Sequence, residues 1–486
     1  MSTARSSLPP TGATVEDDTS GRDRLVILLL LISAFTVILN ETIMGVALPR
    51  LMHDLDLTAS QGQWLTTSFL LTMAVVIPVT GFLLQRLHTR TVFTMAMGLF
   101  SVGTLLCATA PGLGMLITGR IVQASGTAIM MPLLMTTVMT LVPPENRGRT
   151  MGNISIVISV APAIGPTVSG IILSLLDWRW MFWLVLPIGL GSLAIGRMWL
   201  QNVTEPRQAP LDLLSVPLSA IGFGGVVYGL SIIGEGHGDA DTMPLWLPLA
   251  VGGAALAVFV RRQLRLGPKG RALLDLRTFR VPVFRVAVIM MGFCMAALFG
   301  MIILLPIYMQ NVLGMAPVQA GLLLLPGGLI MGLLAPSVGR AYDRIGARRL
   351  VIPGTVFLCA GLWSMASLGT ASAVWQVLIC HILLSIGLAL LFTPLFTASL
   401  SSLPKELYSY GSAVLGTTQQ VAGAAGIALF VSVMSLRIAA AAEAGAAPIE
   451  AMAEGVRAGF VAGGIMALIM IGFSFMVRRP PAPDPL

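Results

Sequence analysis

The sequence LVILLLLISAFTVIL, residues 25–39, is an unbroken apolar run that decides the fold class. A transmembrane helix needs about 20 mostly apolar residues to cross a hydrocarbon core of about 30 Å, and the pattern here continues to about residue 48. Thirteen further stretches of the same kind follow, separated by charged or Pro- and Gly-rich breaks. The sequence therefore predicts an all-α membrane protein with fourteen transmembrane helices, of which the first is a retained span rather than a signal peptide.

Composition supports this class and excludes several others. The chain has 486 residues, of which 56% are hydrophobic and only 10% are charged, against about 25% charged in an ordinary soluble domain. The net charge of +8 does not indicate a nucleic-acid partner, because the basic residues fall on membrane loops. All four cysteines lie in apolar segments without C-x-x-C spacing, so we expect reduced core residues rather than a disulfide or a metal site.

The distribution of basic residues predicts the orientation. All but five of the 29 Lys and Arg residues lie in segments on one side of the predicted membrane. The exceptions are Arg50, Arg179, Arg437 and Arg457 on the other side and Arg120 within a span. The positive-inside rule assigns the basic side to the cytoplasm, with both termini there. We expect a multi-pass protein of the inner or plasma membrane, in contact with the lipid bilayer and monomeric.

Two halves of the chain share one pattern. Each half carries a short basic turn between its second and third spans, GFLLQRLHTR at 81–90 and GRAYDRIGARR at 339–349. Parallel repeats of six helices around a central site are a known plan of secondary transporters. The predicted segments are a disordered cytoplasmic tail at 1–24, an N-terminal six-helix bundle at 25–200, two inserted helices with a basic loop at 201–281, a C-terminal six-helix bundle at 282–478 and a tail at 479–486.

Four motifs in order resemble those of the major facilitator superfamily, and specifically its fourteen-helix drug:proton antiporter family. They are LNETIMGVALP at 39–49, the two basic turns, RIVQASG at 120–126 and APAIGPTVSG at 161–170. This resemblance covers almost the whole chain. It implies the major facilitator fold, with two pseudo-symmetric six-helix bundles and two extra helices, and it implies export.

Two departures refine the resemblance. The chain has Asn40 followed by Glu41 where the family usually has Asp in the first helix, and an Asn-Glu pair resembles the lincosamide and multidrug exporter subgroup. The first basic turn has Gln85 and His88 in place of the usual Asp and Gly. A gating salt bridge is therefore not expected at Gln85, whereas Asp343 and Arg344 keep that capacity.

Glu41 is the leading candidate for proton coupling. An ionisable side chain within the hydrocarbon region is costly, and one that occurs there usually serves function. Among the 21 Asp and Glu residues, Glu41 is the one well inside a predicted span. Burial favours the protonated form of a carboxyl group, so Glu41 can change protonation during a transport cycle. The alternative is that Glu41 is an interhelical hydrogen-bonding residue.

Arg120 is the corresponding cation. Glu41 lies eight residues before Pro49 and Arg120 lies nine after Pro111, which places both roughly 12 to 14 Å below the same membrane surface. We expect them to pair or to share a proton path. Because an arginine keeps its proton in proteins, its role must be electrostatic; the alternative is a fixed tie between helices.

Three further groups of candidate residues follow from the same patterns. We expect a cavity wall, an antiporter motif on the fifth helix and a cytoplasmic gate. In the motif, small residues at intervals of four allow close helix packing. His381 could titrate, but we interpret it as an interhelical hydrogen-bonding residue. The cavity residues are Asn40, Met44, Gln123, Gln310, Gln419 and Gln420; the motif residues are Pro162, Gly165, Pro166 and Gly170; the gate residues are Arg86, Arg90, Asp343, Arg344 and Arg348.

Together these observations predict a proton-coupled antiporter that exports drugs or other apolar or cationic amphiphiles by alternating access. Its ligands would be a small-molecule substrate and protons, without a cofactor. A transporter of the same fold with an endogenous lipid, secondary metabolite or nutrient as cargo stays open, and a channel or receptor is a more distant alternative. No P-loop or H-E-x-x-H motif occurs in the sequence, so an ATP-driven pump, a membrane protease or another enzyme is not expected.

Overall fold

A computed structural model describes residues 13–203, 206, 212–235, 244 and 246–477. Within these residues, fourteen helices are long and apolar enough to cross a membrane, and no strand occurs. A helix satisfies its backbone hydrogen bonds internally, which lipid cannot do for it, so long apolar segments adopt this form. The prediction of an all-α membrane protein with fourteen spans is confirmed.

The helices follow one another with short connections. Their bounds are α1 Ala13–Asp54, α2 Ala59–Arg86, α3 Thr89–Ala108, α4 Leu113–Leu141, α5 Arg147–Leu175, α6 Trp180–Trp199, α7 Ser215–Glu235, α8 Trp246–Leu266, α9 Pro282–Asn311, α10 Pro317–Ile345, α11 Arg348–Ala366, α12 Val374–Ser401, α13 Tyr408–Glu443 and α14 Pro448–Ser474. Since the number of spans is even, α1 begins and α14 ends at the same membrane face, called here the terminal face. The other side is called the opposite face.

The first helix begins earlier than the sequence indicated. It starts at Ala13, so residues 13–24 are helical where the sequence predicted a disordered tail. Residues 1–12 and the predicted tail at 479–486 lie outside the described residues.

The two bundles repeat the same packing. In the first bundle α3 packs on α4, α2 on α4, α3 on α6 and α1 on α5. The second bundle repeats these four contacts eight helices later, between α11 and α12, α10 and α12, α11 and α14, and α9 and α13. An internal repeat produces such equivalent contacts between corresponding helices of the two halves.

Two seams join the bundles. Along one seam α5 packs against α10, and along the other α2 packs against α13. Helix α7 contacts both α2 and α13, and its Tyr228 ring stacks on Trp64 of α2 with 5.9 Å between ring centroids. Its partner α8 packs on α7, where Gly225 and Gly252 bring the two backbones together. The pair α7–α8 therefore covers the α2–α13 seam from outside.

Large apolar side chains cover the outer surface of the bundles. Leu175, Met198 and Leu333 are each more than 70% exposed. In water such exposure would mark a binding surface or an aggregation hazard. On a helix that spans a bilayer, these side chains face lipid.

Candidate functional site

Arg120 lies at the centre of the first bundle. It is only 1% exposed, and its guanidinium donates to the Oε1 atom of Gln123 at 2.8 Å and to the Oδ1 atom of Asn40 at 3.5 Å. A third bond runs from its Nε atom to the carbonyl oxygen of Leu65 at 3.4 Å. The guanidinium also lies over the Phe69 ring, 4.0 Å from the centroid. Arg120 thus joins α1, α2 and α4 at one point.

Gln123 extends this network to a fourth helix. Its Nε2 atom donates to the Thr104 hydroxyl of α3 at 2.8 Å, while its Oε1 atom accepts from Arg120. Gln123 is fully buried and Asn40 is 3% exposed. A buried polar group is costly unless it is hydrogen-bonded, so this chain of bonds is what allows a guanidinium here. Gln123 was predicted to line a cavity wall, but in this conformation its amide is engaged in the network.

Glu41 follows Asn40 on α1 and is partly exposed. Within the described part of the chain Arg120 and Glu41 form no ion pair, although their charges interact electrostatically. The direct pair that the sequence suggested is therefore absent from this conformation. Neutral oxygens bond the cation instead.

The remaining predicted cavity residues separate into two groups. Met44 is 3% exposed and packs in the core of the first bundle. Gln419 and Gln420 are partly exposed on α13, and Gln310 is exposed near the opposite-face end of α9. The structure does not bring Gln310 together with Glu41 and Arg120.

The predicted antiporter motif places α5 between two helices. A Cβ atom on Gly165 would come 2.2 Å from the Thr42 hydroxyl of α1, so only glycine allows this approach. Two residues earlier, Ala163 packs against Gly328 of α10. Pro162 is partly exposed, and Gly170 has open space around it; the side chain of Pro166 lies outside the described part of the structure. The motif therefore joins α1 to the α5–α10 seam.

The bundles are latched at the terminal face by a carboxylate on backbone amides. Asp343 at the end of α10 accepts from the amide nitrogens of Gly148 and Arg149, each at 2.8 Å. These amides lie in the first turn of α5, where unpaired N–H groups favour an anion. A Cβ atom on Gly339 would lie 2.2 Å from the Gly148 carbonyl oxygen, which shows how closely the two helices meet.

The pseudo-symmetric latch uses an amide instead of an acid. Gln85 at the end of α2 donates from Nε2 to the carbonyl oxygen of Glu406 at 2.7 Å, just before α13. The first basic turn thus holds the opposite bundle without the Asp that the family usually has there. Arg90 bonds within its own bundle, to Asn202 and to the carbonyl of Arg197. The other predicted gate arginines, Arg86, Arg344 and Arg348, are exposed.

Sequence reasoning missed Arg147, which it counted among the surface arginines. Arg147 is 7% exposed and donates to the carbonyl oxygens of Met139 at 2.9 Å and Val142 at 3.2 Å. Its Nη2 atom also reaches the Tyr408 hydroxyl of the second bundle at 3.2 Å. These bonds cap the end of α4 and also join the first bundle to the second. The missed signal was the short connection between α4 and α5, which places Arg147, the first residue of α5, within reach of the free carbonyls at the end of α4.

The described hydrogen bonds between the bundles all lie in the half near the terminal face. The deepest joins Thr393 to Ser155 at 2.8 Å, about 12 Å from the start of α5 at 1.5 Å per residue. A further bond joins Thr136 to Ser412 at 2.9 Å. Toward the opposite face, by contrast, Gly170 of α5 and Gly321 of α10 have no atom of a neighbouring helix within 4 Å of a Cβ position. The hydrogen bonds that close the two bundles on one another are therefore gathered near the terminal face.

The described residues contain no group of three or more His, Cys, Asp or Glu side chains that could hold a metal ion. The polar atoms gathered at the centre of the first bundle are instead one acid, one cation and two amides. That set can exchange a proton and can bind a polar or cationic group of a small molecule. Two six-helix bundles around such a set, with one face closed, define a secondary transporter.

Comparison with known proteins agrees with this class. Residues 30–427 match the model of the Major Facilitator Superfamily, and the chain belongs to this family. It is 39% identical over 461 residues to the lincomycin resistance protein LmrB of Bacillus subtilis, covering 93% of this chain and 95% of that protein. A multidrug resistance protein B homolog of Mycobacterium tuberculosis is 29% identical over 431 residues, covering 87% of this chain and 79% of that protein.

Solved structures show the same fold at low identity. The human organic anion transporter MFSD10 superposes with a TM-score of 0.67 at 14% identity, covering 94% of this chain and 99% of that one. The proton:xylose symporter XylE superposes with a TM-score of 0.65 at 16% identity, covering 95% and 97%. The predicted family and major facilitator fold are confirmed, as is the prediction that the chain is a transporter and not an enzyme.

Proposed function

We propose that this transporter is a proton-coupled antiporter that exports drugs or other apolar or cationic amphiphiles by alternating access. Its similarity to lincomycin and multidrug resistance proteins supports drug efflux. The observation that carries the coupling is the pair of Glu41, partly exposed and without an ion pair in the described structure, and Arg120, buried and bonded to neutral oxygens.

The proposed cycle follows from this arrangement. In the conformation described, the bundles are closed at the terminal face, which the positive-inside rule assigns to the cytoplasm. A proton that enters from the opposite face binds Glu41 and displaces a cationic or polar group of the cargo. The neutral carboxyl group then allows the bundles to rock, and the proton is released toward the cytoplasm when that side opens.

Arg120 sets the balance of this exchange. A nearby fixed positive charge favours the ionised form of a carboxyl group. The guanidinium favours the ionised form of Glu41. Because it does not form an ion pair with Glu41 here, it leaves the carboxylate oxygens free to bind cargo or a proton. Cargo and proton can therefore alternate on the same group.

The test is uphill transport in proteoliposomes with an imposed pH gradient. With lincomycin and a panel of cationic and neutral amphiphiles as cargo, we expect Glu41→Gln to lose gradient-driven transport, by at least about a hundredfold for removal of an obligatory proton carrier. Membrane insertion and the melting temperature should change little, since Glu41 has no hydrogen bond among the described residues.

Glu145→Gln is the matched control, because Glu145 is an exposed carboxylate in the loop before α5 and should keep normal transport. Full uphill transport by Glu41→Gln would show that the coupling proposal is wrong. Flux that only runs downhill in the unaltered protein would indicate a channel. Transport confined to a lipid, metabolite or nutrient in the same panel would assign the cargo to that class instead.

A further inference from the structure

The second bundle carries a residue at the position of Arg120 that the proposed cycle does not use. Arg120 is the eighth residue of α4, and His381 is the eighth residue of α12. In both cases a short 3-10 helix begins 24 residues later, at Pro144 and Lys405 respectively. The internal repeat therefore superposes His381 on Arg120.

The two residues make the same kind of contact. Arg120 donates to the carbonyl oxygen of Leu65, the seventh residue of α2. His381 approaches the carbonyl oxygen of Leu324, the eighth residue of α10, with its Nε2 atom at 3.1 Å. A carbonyl oxygen only accepts, so Nε2 carries the hydrogen and donates. Each side chain thus fixes the neighbouring helix of its bundle through a backbone carbonyl.

The surroundings of the two side chains differ in one decisive way. Phe69, whose ring lies under the Arg120 guanidinium, is the eleventh residue of α2, and the eleventh residue of α10 is Gly327. A Cβ atom on Gly327 would lie 2.2 Å from the Nε2 atom of His381. The glycine makes room for the imidazole where the first bundle has an aromatic ring for the guanidinium.

The acid and amides that surround Arg120 have no counterpart near His381. His381 is 4% exposed, and its Nδ1 atom is buried without a partner. Of the helices packed on α12, α9, α11 and α5 contain no Asp or Glu, while α10 has Asp343 at its terminal-face end and α13 has Glu443 at its opposite-face end. Their other titratable groups at membrane depth are cysteines and Tyr308, and their arginines lie near helix ends, Arg437 of α13 toward the opposite face and the others toward the terminal face. A second proton on this imidazole would be a buried cation without a counter-ion.

We propose that His381 is a neutral positioning residue that holds the opposite-face third of α10 against α12, as Arg120 holds α2 against α4. The contact lies just before Pro326, Gly327 and Gly328, where a proline and two glycines weaken α10. Beyond this point Gly328, Gly332 and Gly339 of α10 pack on α5, whereas a Cβ atom on Gly321 would meet no neighbouring atom within 4 Å. His381 therefore sets the position of the α10 segment that must move when the opposite face closes, and proton coupling is confined to the first bundle.

The experiment compares His381→Gln, which keeps an N–H donor at the position of Nε2, with His381→Leu, which removes the donor. Gly327→Ala is a second route to the same loss, because its methyl group displaces the imidazole. Spin labels at Gly170→Cys and Gly321→Cys, two positions with open space, report the width of the opposite face in a background without the four native cysteines. Gly98→Ala, at another open position, is the control.

We expect His381→Gln to keep the distance distribution between the labels and the pH profile of transport. His381→Leu and Gly327→Ala should broaden or shift the distribution and lower the transport rate about fivefold to tenfold, the effect of one hydrogen bond. A His381→Gln variant with an altered pH profile would make His381 a proton carrier and overturn the proposal, as would unchanged distances in both His381→Leu and Gly327→Ala. The distances need neither cargo nor gradient, so this result is independent of the proposed antiport.

Discussion

At the scale of single residues, the centre of the first bundle shows how a guanidinium is accommodated in a membrane protein without an ion pair. Arg120 takes its partners from neutral oxygens on three helices and from an aromatic face. A direct ion pair with Glu41 would hold the carboxylate permanently. The network of neutral oxygens instead holds the cation in place, and Glu41 has no ion pair in the described structure.

The network predicts unequal effects of two substitutions at Arg120. Arg120→Ala leaves the oxygens of Gln123 and Asn40 without a donor, at about 1–3 kcal/mol for each buried group. We expect it to lower the melting temperature and to abolish transport. Arg120→Lys keeps the charge but loses the fork of donors, so partial transport should survive. Thermal unfolding in detergent and flux in proteoliposomes measure both; equal melting temperatures for Arg120→Ala and the unaltered protein would contradict this account.

Sequence alone could place Glu41 and Arg120 at one depth, because helix rise converts residue counts into distance. It could not choose the partners of Arg120, since the choice among Glu41, Asn40 and Gln123 depends on the rotation of α1 and α4 about their axes. A depth argument contains no information on rotation. For the same reason Gln123 could be assigned to a cavity wall when its amide is bonded on both sides.

At the scale of helices, the terminal-face latch depends on where α10 ends and α5 begins. Asp343 was expected to act with Arg344, but its partners are the backbone amides of Gly148 and Arg149. Those amides are free because they begin a helix. A sequence motif lists side chains, so a contact made to backbone amides of a helix 195 residues away cannot be read from it.

Asp343→Asn should weaken this latch more than Arg344→Gln. Hydrogen bonds to a charged group are worth about 1.5–3 kcal/mol, so their loss shifts the balance between closed and open terminal faces by about one to two powers of ten. Thiol labelling of Ser155→Cys, a buried position on the seam, should become faster in Asp343→Asn. Arg344→Gln is the control because Arg344 is exposed; equal labelling rates in both variants would exclude a latch at Asp343.

An ion pair ties the residues just before α7 to the end of α8. Asp212 accepts two bonds from Arg262, each at 2.6 Å, and a third from Ser215. The Arg262 guanidinium is the largest cause that holds the pKa of Asp212 at about 2, below the value of about 3.9 in an unfolded chain. The pair therefore stabilises the folded protein above about pH 4 and loses this contribution as the pH falls toward 2.

Asp212→Asn should lower the melting temperature at pH 7 and reduce its further decrease between pH 5 and pH 3. The effect is modest, because the Arg262 side chain is 35% exposed and solvent screens the pair. Melting curves at these pH values, with the exposed-site variant Glu145→Gln as control, measure it. A parallel loss of stability on acidification in Asp212→Asn and in the unaltered protein would assign the acid sensitivity elsewhere.

At the scale of the whole molecule, the described hydrogen bonds between the bundles lie near the terminal face, and the proposed transport cycle requires them to break and re-form. The bond between Thr136 of α4 and Ser412 of α13 joins the bundles in the closed half. Its two side chains are close enough for replacement by a bridging pair of cysteines.

In a background without native cysteines, oxidation of Thr136→Cys with Ser412→Cys should therefore lock the terminal face and stop transport. Reduction of the disulfide should restore it. The single variants, treated in the same way, are the controls. Continued transport by the oxidised double variant would show that this seam does not open during the cycle.

The architecture as a whole could be predicted from the sequence. Apolar runs indicate the spans, basic loops indicate the orientation, and the repeated turns at 81–90 and 339–349 indicate the two halves. The position of the two extra helices against the bundles could not be predicted from the sequence. An insertion between the repeats says nothing about which seam it covers; that depends on lateral packing such as the Trp64–Tyr228 stack.

Helix α7 makes the two sides of the molecule unequal. It touches α2 and α13 together, so a wide separation along that side would strip it from one of its neighbours, whereas the side formed by α5 and α10 has no such brace. Any movement that parts α2 from α13 must therefore also part α7 from one of the two, so the inserted helix pair takes part in the conformational change and is not a passive attachment.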